Sequence, residues 1–160
     1  MATPSETDPP SSPGVHFPPP FLYAAVFLLG LLLDYLVPAA QLPRNPSRWL
    51  AAALLLPGLG LVFWSLLLFL RARTNPLPMR PATSLVRTGP YRFTRNPMYL
   101  GMLLIYTGAA LLFDVFWALV LIPGLMALVV RLVIRREERY LEATFGEAYR
   151  RFKAEVRRWI

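Results

Sequence analysis

The sequence contains no cysteine and only one histidine among its 160 residues, and both scarcities limit its chemistry. The absence of cysteine excludes disulfides, thiolate metal sites and a cysteine nucleophile, and it leaves the redox compartment open. The lone histidine, His16, lies in a proline-rich N-terminal segment, so a histidine-based triad and a histidine-rich metal cluster are excluded as well. We therefore expect no metal, and chemistry in which a cofactor carries the reactive group.

Acidic residues are also few, since 9 Asp and Glu stand against 17 Lys and Arg. Hydrophobic residues make up 56% of the chain and the mean hydropathy is +0.45, which is typical of membrane proteins. The basic residues gather between the apolar runs and near the C-terminus. This pattern suits anionic lipid headgroups better than nucleic acid, so we expect the lipid bilayer as a partner and no nucleic acid. The composition leaves the oligomeric state undetermined.

Four apolar runs follow a polar tail. Residues 1–20 are rich in Pro and Ser and contain no Lys or Arg, so they are predicted to be a disordered tail. Because the positively charged leader of a signal peptide is missing, the first run is predicted to be an uncleaved helix. Residues 21–160 are predicted to form a single membrane domain, in which Pro123-Gly124 kinks the last span. The predicted spans are 21–37, 49–70, 98–113 and 115–134.

Beyond the fourth run the pattern becomes amphipathic over 135–156, where apolar residues recur at three- and four-residue spacing and Gly146 interrupts them. The predicted fold class is an all-α integral membrane protein with about four transmembrane helices and a C-terminal amphipathic helix. Six arginines lie in 71–96 and eight Lys or Arg follow Ile134, against two on the opposite side. The positive-inside bias therefore places the N-terminus, this loop and the C-terminus in the cytoplasm.

Two sequence blocks carry most of the functional information. Arg95-Asn96-Pro97-Met98-Tyr99-Leu100-Gly101 opens the third span, and Glu137-Glu138 follows the fourth. Together they resemble the integral-membrane methyltransferases related to isoprenylcysteine carboxyl methyltransferase and the phospholipid N-methyltransferases, whose shared pattern is Arg-His/Asn-Pro-x-Tyr-x-Gly followed by Glu-Glu. Asn96 stands where the isoprenylcysteine branch has histidine, and the Asn-Pro-Met-Tyr form occurs in the phospholipid branch.

The resemblance covers roughly residues 71–160. It implies S-adenosylmethionine as the cofactor and methyl transfer to an amphiphilic or lipid-like carboxylate, amine or thiol at the cytoplasmic membrane face. It implies catalytic roles for Arg95 and Glu138. The residues that it implies for cofactor binding are Asn96, Pro97, Tyr99, Gly101, Glu137 and Glu138. Basic and aromatic neighbours of the first block are candidates for substrate binding: Arg87, Tyr91 and Arg92.

Most of these residues also have a purely structural interpretation. Arg95 is placed where an arginine can extend its charge to the membrane interface, and Asn96 is placed to cap a helix. Gly101 permits close packing of helices, as do the two glycines of Pro57-Gly58-Leu59-Gly60, for which the resemblance also suggests a cofactor contact. Adjacent glutamates are typical of a solvated helix face.

Two other functions fit parts of the sequence. Sterol reductases resemble these methyltransferases in their C-terminal membrane bundle and would bind a nicotinamide cofactor in a comparable pocket, but this chain lacks their additional spans. A non-enzymatic membrane scaffold would explain the charge and the hydropathy, with the basic amphipathic tail binding anionic lipid. It gives no reason for the two blocks. The substrate itself is not readable from the sequence.

Overall fold

The computed structural model describes residues 12–15, 17–38 and 44–160, with side chains described for all of these except 44–46. Within these ranges all regular structure is helical and there is no strand, which confirms the all-α prediction. The elements in chain order are α1 (Pro19–Leu36), α2 (Arg44–Arg71), a 3₁₀ turn (Gly89–Arg92), α3 (Pro97–Leu112), α4 (Phe116–Val120), α5 (Ile122–Val129), a π-helical turn (Val130–Ile134), α6 (Arg135–Phe145) and α7 (Glu147–Glu155).

Two of the described helices are long and apolar enough to cross a membrane, namely α1 and the Ser47–Arg71 part of α2. Only 17% and 11% of the residues in their most apolar stretches are buried, so their apolar side chains point outward. A core helix of a soluble protein would bury most of that surface. Outward apolar faces on both helices are what a lipid environment requires. The shorter apolar helix α3 begins and ends within one residue of the predicted third span.

The predicted fourth span is divided into shorter pieces. α4 ends before Leu121, α5 begins at Ile122, and a π-helical turn follows before α6. Pro123 lies in the first turn of α5, where the missing backbone N–H removes no intrahelical bond. The discontinuity therefore lies at Leu121, just before Pro123. The predicted amphipathic helix is also divided, because Gly146 adopts φ +51 and separates α6 from α7.

Part of the predicted N-terminal tail packs against the helices. Val15 is only 4% exposed and lies in the main hydrophobic cluster, and the Gly14 carbonyl accepts a hydrogen bond of 2.7 Å from Arg136 Nη1. α1 begins at Pro19, two residues before the predicted start of the domain. Residues 1–11 and His16 lie outside the described residues. The ordered domain therefore includes a short segment that composition alone assigned to the tail.

The most extensive helix–helix contact joins α2 and α3. Gly58 on α2 faces Gly101 on α3, and a Cβ added at Gly58 would lie 2.9 Å from the Gly101 carbonyl oxygen. A Cβ at Gly101 would lie 2.7 Å from Val62 Cγ2 and 2.9 Å from the Gly58 carbonyl oxygen. Both glycines therefore allow close backbone approach, and they fix the position of the first turn of α3 against α2.

We expect Gly58→Ala to lower the thermal-unfolding midpoint of the detergent-solubilised protein, because the new methyl group would press on backbone atoms of α3 at a cost of about 1–3 kcal/mol. Gly60→Ala is the matched control, since a Cβ there meets nothing within 4 Å. That change should leave the midpoint unchanged or raise it, because alanine favours the helix by about 1 kcal/mol over glycine. Equal midpoints for the two variants would contradict the proposed close contact.

Two hydrophobic clusters flank the polar residues of the motif blocks. The first lies among α1, α3, α4 and α5 and includes Tyr106, Ala118 and Leu125. The second joins the loop after α2, the 3₁₀ turn and α7, with Val86, Tyr91, Tyr149 and Phe152 at its centre. The first turn of α3 and the start of α6 lie between them.

Candidate active site

A cavity of about 110 Å³ lies where the two motif blocks meet. The loop after α2 closes one side of this polar cavity, and the backbone N–H of Ala82 in that loop donates a 3.0 Å hydrogen bond to the Tyr140 hydroxyl of α6. The residues of the motif blocks that line it are Arg95, Asn96, Met98, Tyr99, Glu137 and Glu138, and the aromatic residues around them are Phe69, Tyr91, Tyr140, Tyr149 and Phe152. Blocks about 40 residues apart in sequence thus share one cavity.

Tyr99 connects three elements at this cavity. Its hydroxyl donates a 2.7 Å hydrogen bond to Glu137 Oε1 on α6. Its carbonyl accepts a 3.0 Å hydrogen bond from the Tyr23 hydroxyl on α1. Because Tyr99 is only 7% exposed, this orientation is enforced by packing as well as by hydrogen bonding. The Tyr99 ring is therefore enclosed between helices.

Glu138 lies between two arginines. Arg158 Nε and Nη2 donate hydrogen bonds of 3.0 and 2.6 Å to its two carboxylate oxygens. Arg95 Nη1 lies 3.0 Å from Glu138 Oε1, an ion-pair distance, but it is not aligned as a hydrogen bond. The Arg95 side chain is 9% exposed, and its Nε and Nη1 form no hydrogen bond within the described part of the chain. Arg95 therefore pairs with Glu138 by charge, while two of its nitrogens have no aligned hydrogen bond among the described residues.

Asn96 occupies the N-cap position of α3, as expected from the Asn-Pro pair, but its side chain does not cap the helix. Its Nδ2 instead donates a 3.0 Å hydrogen bond to the Arg158 carbonyl, and its backbone N–H donates to Thr94 Oγ1 at 3.2 Å. Pro97 is buried at the start of α3 and does not line the cavity. Asn96 therefore connects the first block to the C-terminal residues.

Besides Pro97, three of the predicted site residues do not reach the polar cavity. Gly101 faces α2, so it serves helix packing rather than a cofactor wall. The Arg87 guanidinium lies 5.9 Å from the Phe152 ring centroid and donates a 2.6 Å hydrogen bond to the Ala148 carbonyl, which directs it to α7. Arg92 is the last residue of the 3₁₀ turn and is exposed. Of the residues predicted to bind substrate, only Tyr91 lines the cavity.

The sequence did not single out several residues that complete this arrangement. Arg158 lies in a basic C-terminal segment that charge alone makes inconspicuous, and its role follows only from the return of the chain to α6. Tyr149 follows the apolar spacing of an amphipathic helix, so the sequence pattern alone indicates an ordinary core residue. Tyr140 is buried at 4% exposure although its neighbours are charged. The hydroxyls of these tyrosines are the feature that distinguishes the cavity wall from a plain apolar face.

Burial changes the proton affinity of several cavity groups, among them Glu137 and Tyr149. It raises the pKa of the Glu137 carboxyl to about 7; the Tyr99 hydroxyl opposes this rise and the charge of Glu138 adds to it. Burial also raises the pKa of the Tyr149 hydroxyl to about 12, aided by Glu138 and opposed by Arg95. Glu137 is therefore the cavity carboxylate that can exchange a proton near neutral pH.

We expect stability to decline as the pH rises from 4.5 to about 7, because folded Glu137 keeps its proton over this range while the unfolded chain has lost it. Folding then binds a proton, so this contribution is complete below pH 4.5 and lost as the pH passes about 7. Thermal unfolding of the wild type and Glu137→Gln across this range would measure it. The variant should have a flatter profile, and Glu142→Gln, at an exposed ion pair, should not.

A second, apolar cavity of about 530 Å³ opens between α1, α2 and α3. Its wall includes Tyr23, Phe27, Val62, Leu66, Met102 and Tyr106. It shares part of its lining with the polar cavity, namely Pro76, Leu77, Pro78, Met98 and Tyr99. An apolar compartment among outward-facing helices therefore adjoins a polar compartment that carries the charged motif residues.

Comparisons with known proteins support the family resemblance that the two sequence blocks indicate. The family model described as phospholipid methyltransferase matches residues 46–148, well over half of the chain. A stretch of 27 residues is 63% identical to an uncharacterized protein of Haemophilus influenzae, and it covers 17% of this chain and 43% of that protein. No solved structure matches the chain. On the family match, the chain belongs to the phospholipid methyltransferase family.

Proposed function

We propose that this protein transfers a methyl group from S-adenosylmethionine to a lipid-like acceptor. The observation that carries the proposal is the meeting of two sequence-distant blocks at one cavity. There Tyr99 bonds to Glu137 at 2.7 Å, and Arg95 lies 3.0 Å from Glu138. A solvated helix face would leave the two glutamates in water, whereas here Glu138 is 8% exposed. Family membership supports the same reaction class.

The residues at the polar cavity fit this cofactor. S-adenosylmethionine carries a carboxylate, an ammonium, two ribose hydroxyls and an aromatic base, and when bound it supplies a methyl group activated by a sulfonium. The Nε and Nη1 donors of Arg95, which have no aligned hydrogen bond among the described residues, suit an anionic group. The Glu137 carboxylate suits an ammonium or a hydroxyl. The aromatic walls of Tyr91 and Tyr140 suit a planar base. Arg95, Asn96, Tyr99, Glu137 and Glu138 are the residues that would hold it.

The apolar cavity supports a lipid-like acceptor. Its wall of aliphatic and aromatic side chains would bind an acyl or isoprenoid chain that enters sideways between the helices. Met98 and Tyr99 line both cavities, so a polar head attached to such a chain would reach the charged motif residues past these two side chains. Holding the acceptor head in this way supplies much of the catalysis when the methyl donor is already activated.

Glu137 is suited to take a proton from an amine acceptor. An ammonium must lose a proton before its nitrogen can act as a nucleophile, while a carboxylate needs no base. Glu138 is engaged by Arg95 and Arg158, whereas Glu137 has one hydrogen-bond donor, Tyr99, and a pKa raised by burial to about 7. A proton from the acceptor would therefore pass to Glu137.

We also propose that the membrane domain has four spans and that both blocks face the cytoplasm. The apolar helix α3 and the run from α4 to the π-helical turn pack together with α1, which supports two spans beyond α1 and α2. Both blocks lie at the end of the bundle that carries most of the Lys and Arg.

Isothermal titration of S-adenosylhomocysteine into detergent-purified protein tests the proposal. We expect micromolar binding, with Arg95→Ala and Glu138→Ala as site controls. NADPH titrated into the same preparation tests the reductase alternative. Binding of NADPH without S-adenosylhomocysteine would overturn the proposal in favour of a reductase, and a monodisperse, folded protein that binds neither would favour a scaffold.

A further inference from the structure

The C-terminal residues 156–160, here termed the C-terminal strap, leave α7 in an extended conformation and return to the first motif block. The backbone N–H of Arg95 donates a 2.9 Å hydrogen bond to the Arg157 carbonyl. The Arg158 carbonyl accepts hydrogen bonds of 3.0 Å from both Thr94 Oγ1 and Asn96 Nδ2. Three consecutive residues at the start of α3 are therefore bonded to two consecutive carbonyls of the strap.

The side chain of Arg158 bonds to the second block. Its Nε and Nη2 engage both oxygens of Glu138, at 3.0 and 2.6 Å, which is the two-pronged geometry that makes an arginine–carboxylate pair directional. This bond raises the pKa of the Arg158 guanidinium. One residue thus holds Asn96 through its carbonyl and Glu138 through its side chain. It therefore links the two blocks in addition to the Arg95–Glu138 ion pair.

Apolar contacts hold the strap at both ends. Val156 packs against the cluster that contains Tyr91 and Tyr149, and Trp159 packs against the cluster that contains Tyr99 and Ile134. The position of Arg158 between these anchors is therefore set by packing as well as by polar bonds.

We infer that Arg158 is a positioning residue of the proposed methyl-transfer site, because it fixes the Glu138 carboxylate that also lies at ion-pair distance from Arg95. This inference rests on the proposed function. Arg95 Nε and Nη1 are buried without hydrogen bonds although a carboxylate oxygen lies 3.0 Å away. Both oxygens of that carboxylate already accept aligned bonds from Arg158. Without Arg158, Glu138 keeps only its ion pair with Arg95 and loses this fixed orientation.

Arg158→Ala should weaken S-adenosylhomocysteine binding by about tenfold, since the two hydrogen bonds that orient the Glu138 carboxylate are lost. Arg158→Lys should fall between that variant and the wild type, because an ammonium keeps the charge but not the paired geometry. Arg151→Ala is the matched control, since this arginine forms an exposed ion pair with Glu147 on α7. In steady-state assays the KM for S-adenosylmethionine should rise more than the KM for the lipid acceptor.

A double-mutant cycle shows whether Arg158 acts through Glu138. In the Glu138→Gln background, Arg158→Ala should add little further loss of binding. An equal loss in both backgrounds would overturn the inference. So would wild-type affinity in Arg158→Ala, or a loss that matches only the fraction of unfolded protein.

Hydrogen exchange of the ligand-free protein gives a readout that is independent of the cofactor. The amides of residues 94–96 should exchange faster in Arg158→Ala than in the wild type or Arg151→Ala, because Arg95 N–H is bonded to the strap. If the wild type binds no S-adenosylhomocysteine, the proposed function fails while this measurement still tests the strap. Unchanged exchange at 94–96 would overturn the positioning role whatever the ligand.

Discussion

Arg95→Ala should reduce methyl transfer by on the order of 100-fold while the protein remains folded. The loss follows from the removal of buried donors that face the polar cavity and form no hydrogen bond within the described residues. Folding should survive because Glu138 keeps both of its bonds to Arg158. A radiolabelled methyl-transfer assay on lipid acceptors would measure the first effect, and the unfolding midpoint would measure the second.

Two further variants make this expectation specific. Arg95→Lys retains the charge but cannot present a planar fork, so it should recover only part of the activity. Arg92→Ala should be close to the wild type, because the structure leaves this arginine exposed and away from the cavity. Full activity of Arg95→Ala on every tested acceptor would remove the catalytic role proposed for Arg95.

Glu138→Ala should have a different signature, with loss of both cofactor binding and stability. Glu138 is 8% exposed and is the carboxylate that Arg95 and Arg158 share. Removing one member of a buried ionic group costs on the order of 3 kcal/mol, because the remaining charges are left without a counter-ion. We therefore expect a lower unfolding midpoint together with undetectable binding of S-adenosylhomocysteine by titration.

Glu142→Ala provides the comparison on the same helix. Glu142 forms an exposed ion pair of 3.2 Å with Lys153, and such pairs contribute about 0–1 kcal/mol. Its loss should leave binding and stability nearly unchanged. Glu138→Gln should be more stable than Glu138→Ala, since the amide keeps the volume and one acceptor. If Glu142→Ala proved as harmful as Glu138→Ala, the effect would reflect the general charge of α6 rather than the arginine pair.

The helices that could be located from sequence are those whose boundaries depend on local properties. α3 begins at Pro97 because an Asn-Pro pair favours a helix start, and α1 and α2 follow continuous apolar runs. Pro123-Gly124 indicated a kink in the fourth run, but the sequence did not locate the break at Leu121, which is apolar like its neighbours. The burial of Val15 was not predicted, because a proline-rich composition does not show whether a segment packs against helices.

The candidate site also contains residues that the sequence identified and residues that only the structure identified. The Arg95, Tyr99, Glu137 and Glu138 side chains were identified through their motif pattern, and the structure gathers them at one cavity. Arg158 was not, because its importance depends on a chain reversal after α7 that brings it back to Glu138. Gly101 is a different case. The motif suggested a cofactor contact for it, but the structure packs it against α2, so the neighbouring helix can require a glycine there without a ligand.

The π-helical turn at Val130–Ile134 sets the angle at which the charged residues leave the helical bundle. Each residue of an α-helix rotates the chain by about 100°, and a π turn accommodates one residue more than the α-helical turn that it replaces. Deleting one residue from this turn would leave an ordinary α-helical turn and keep Glu137 and Glu138 on nearly the same face of the helix, whereas deleting one residue from the α-helical part would swing them by about 100° around its axis. The π-helical turn is therefore the place where this helix can lose a residue without turning the two carboxylates away from the cavity.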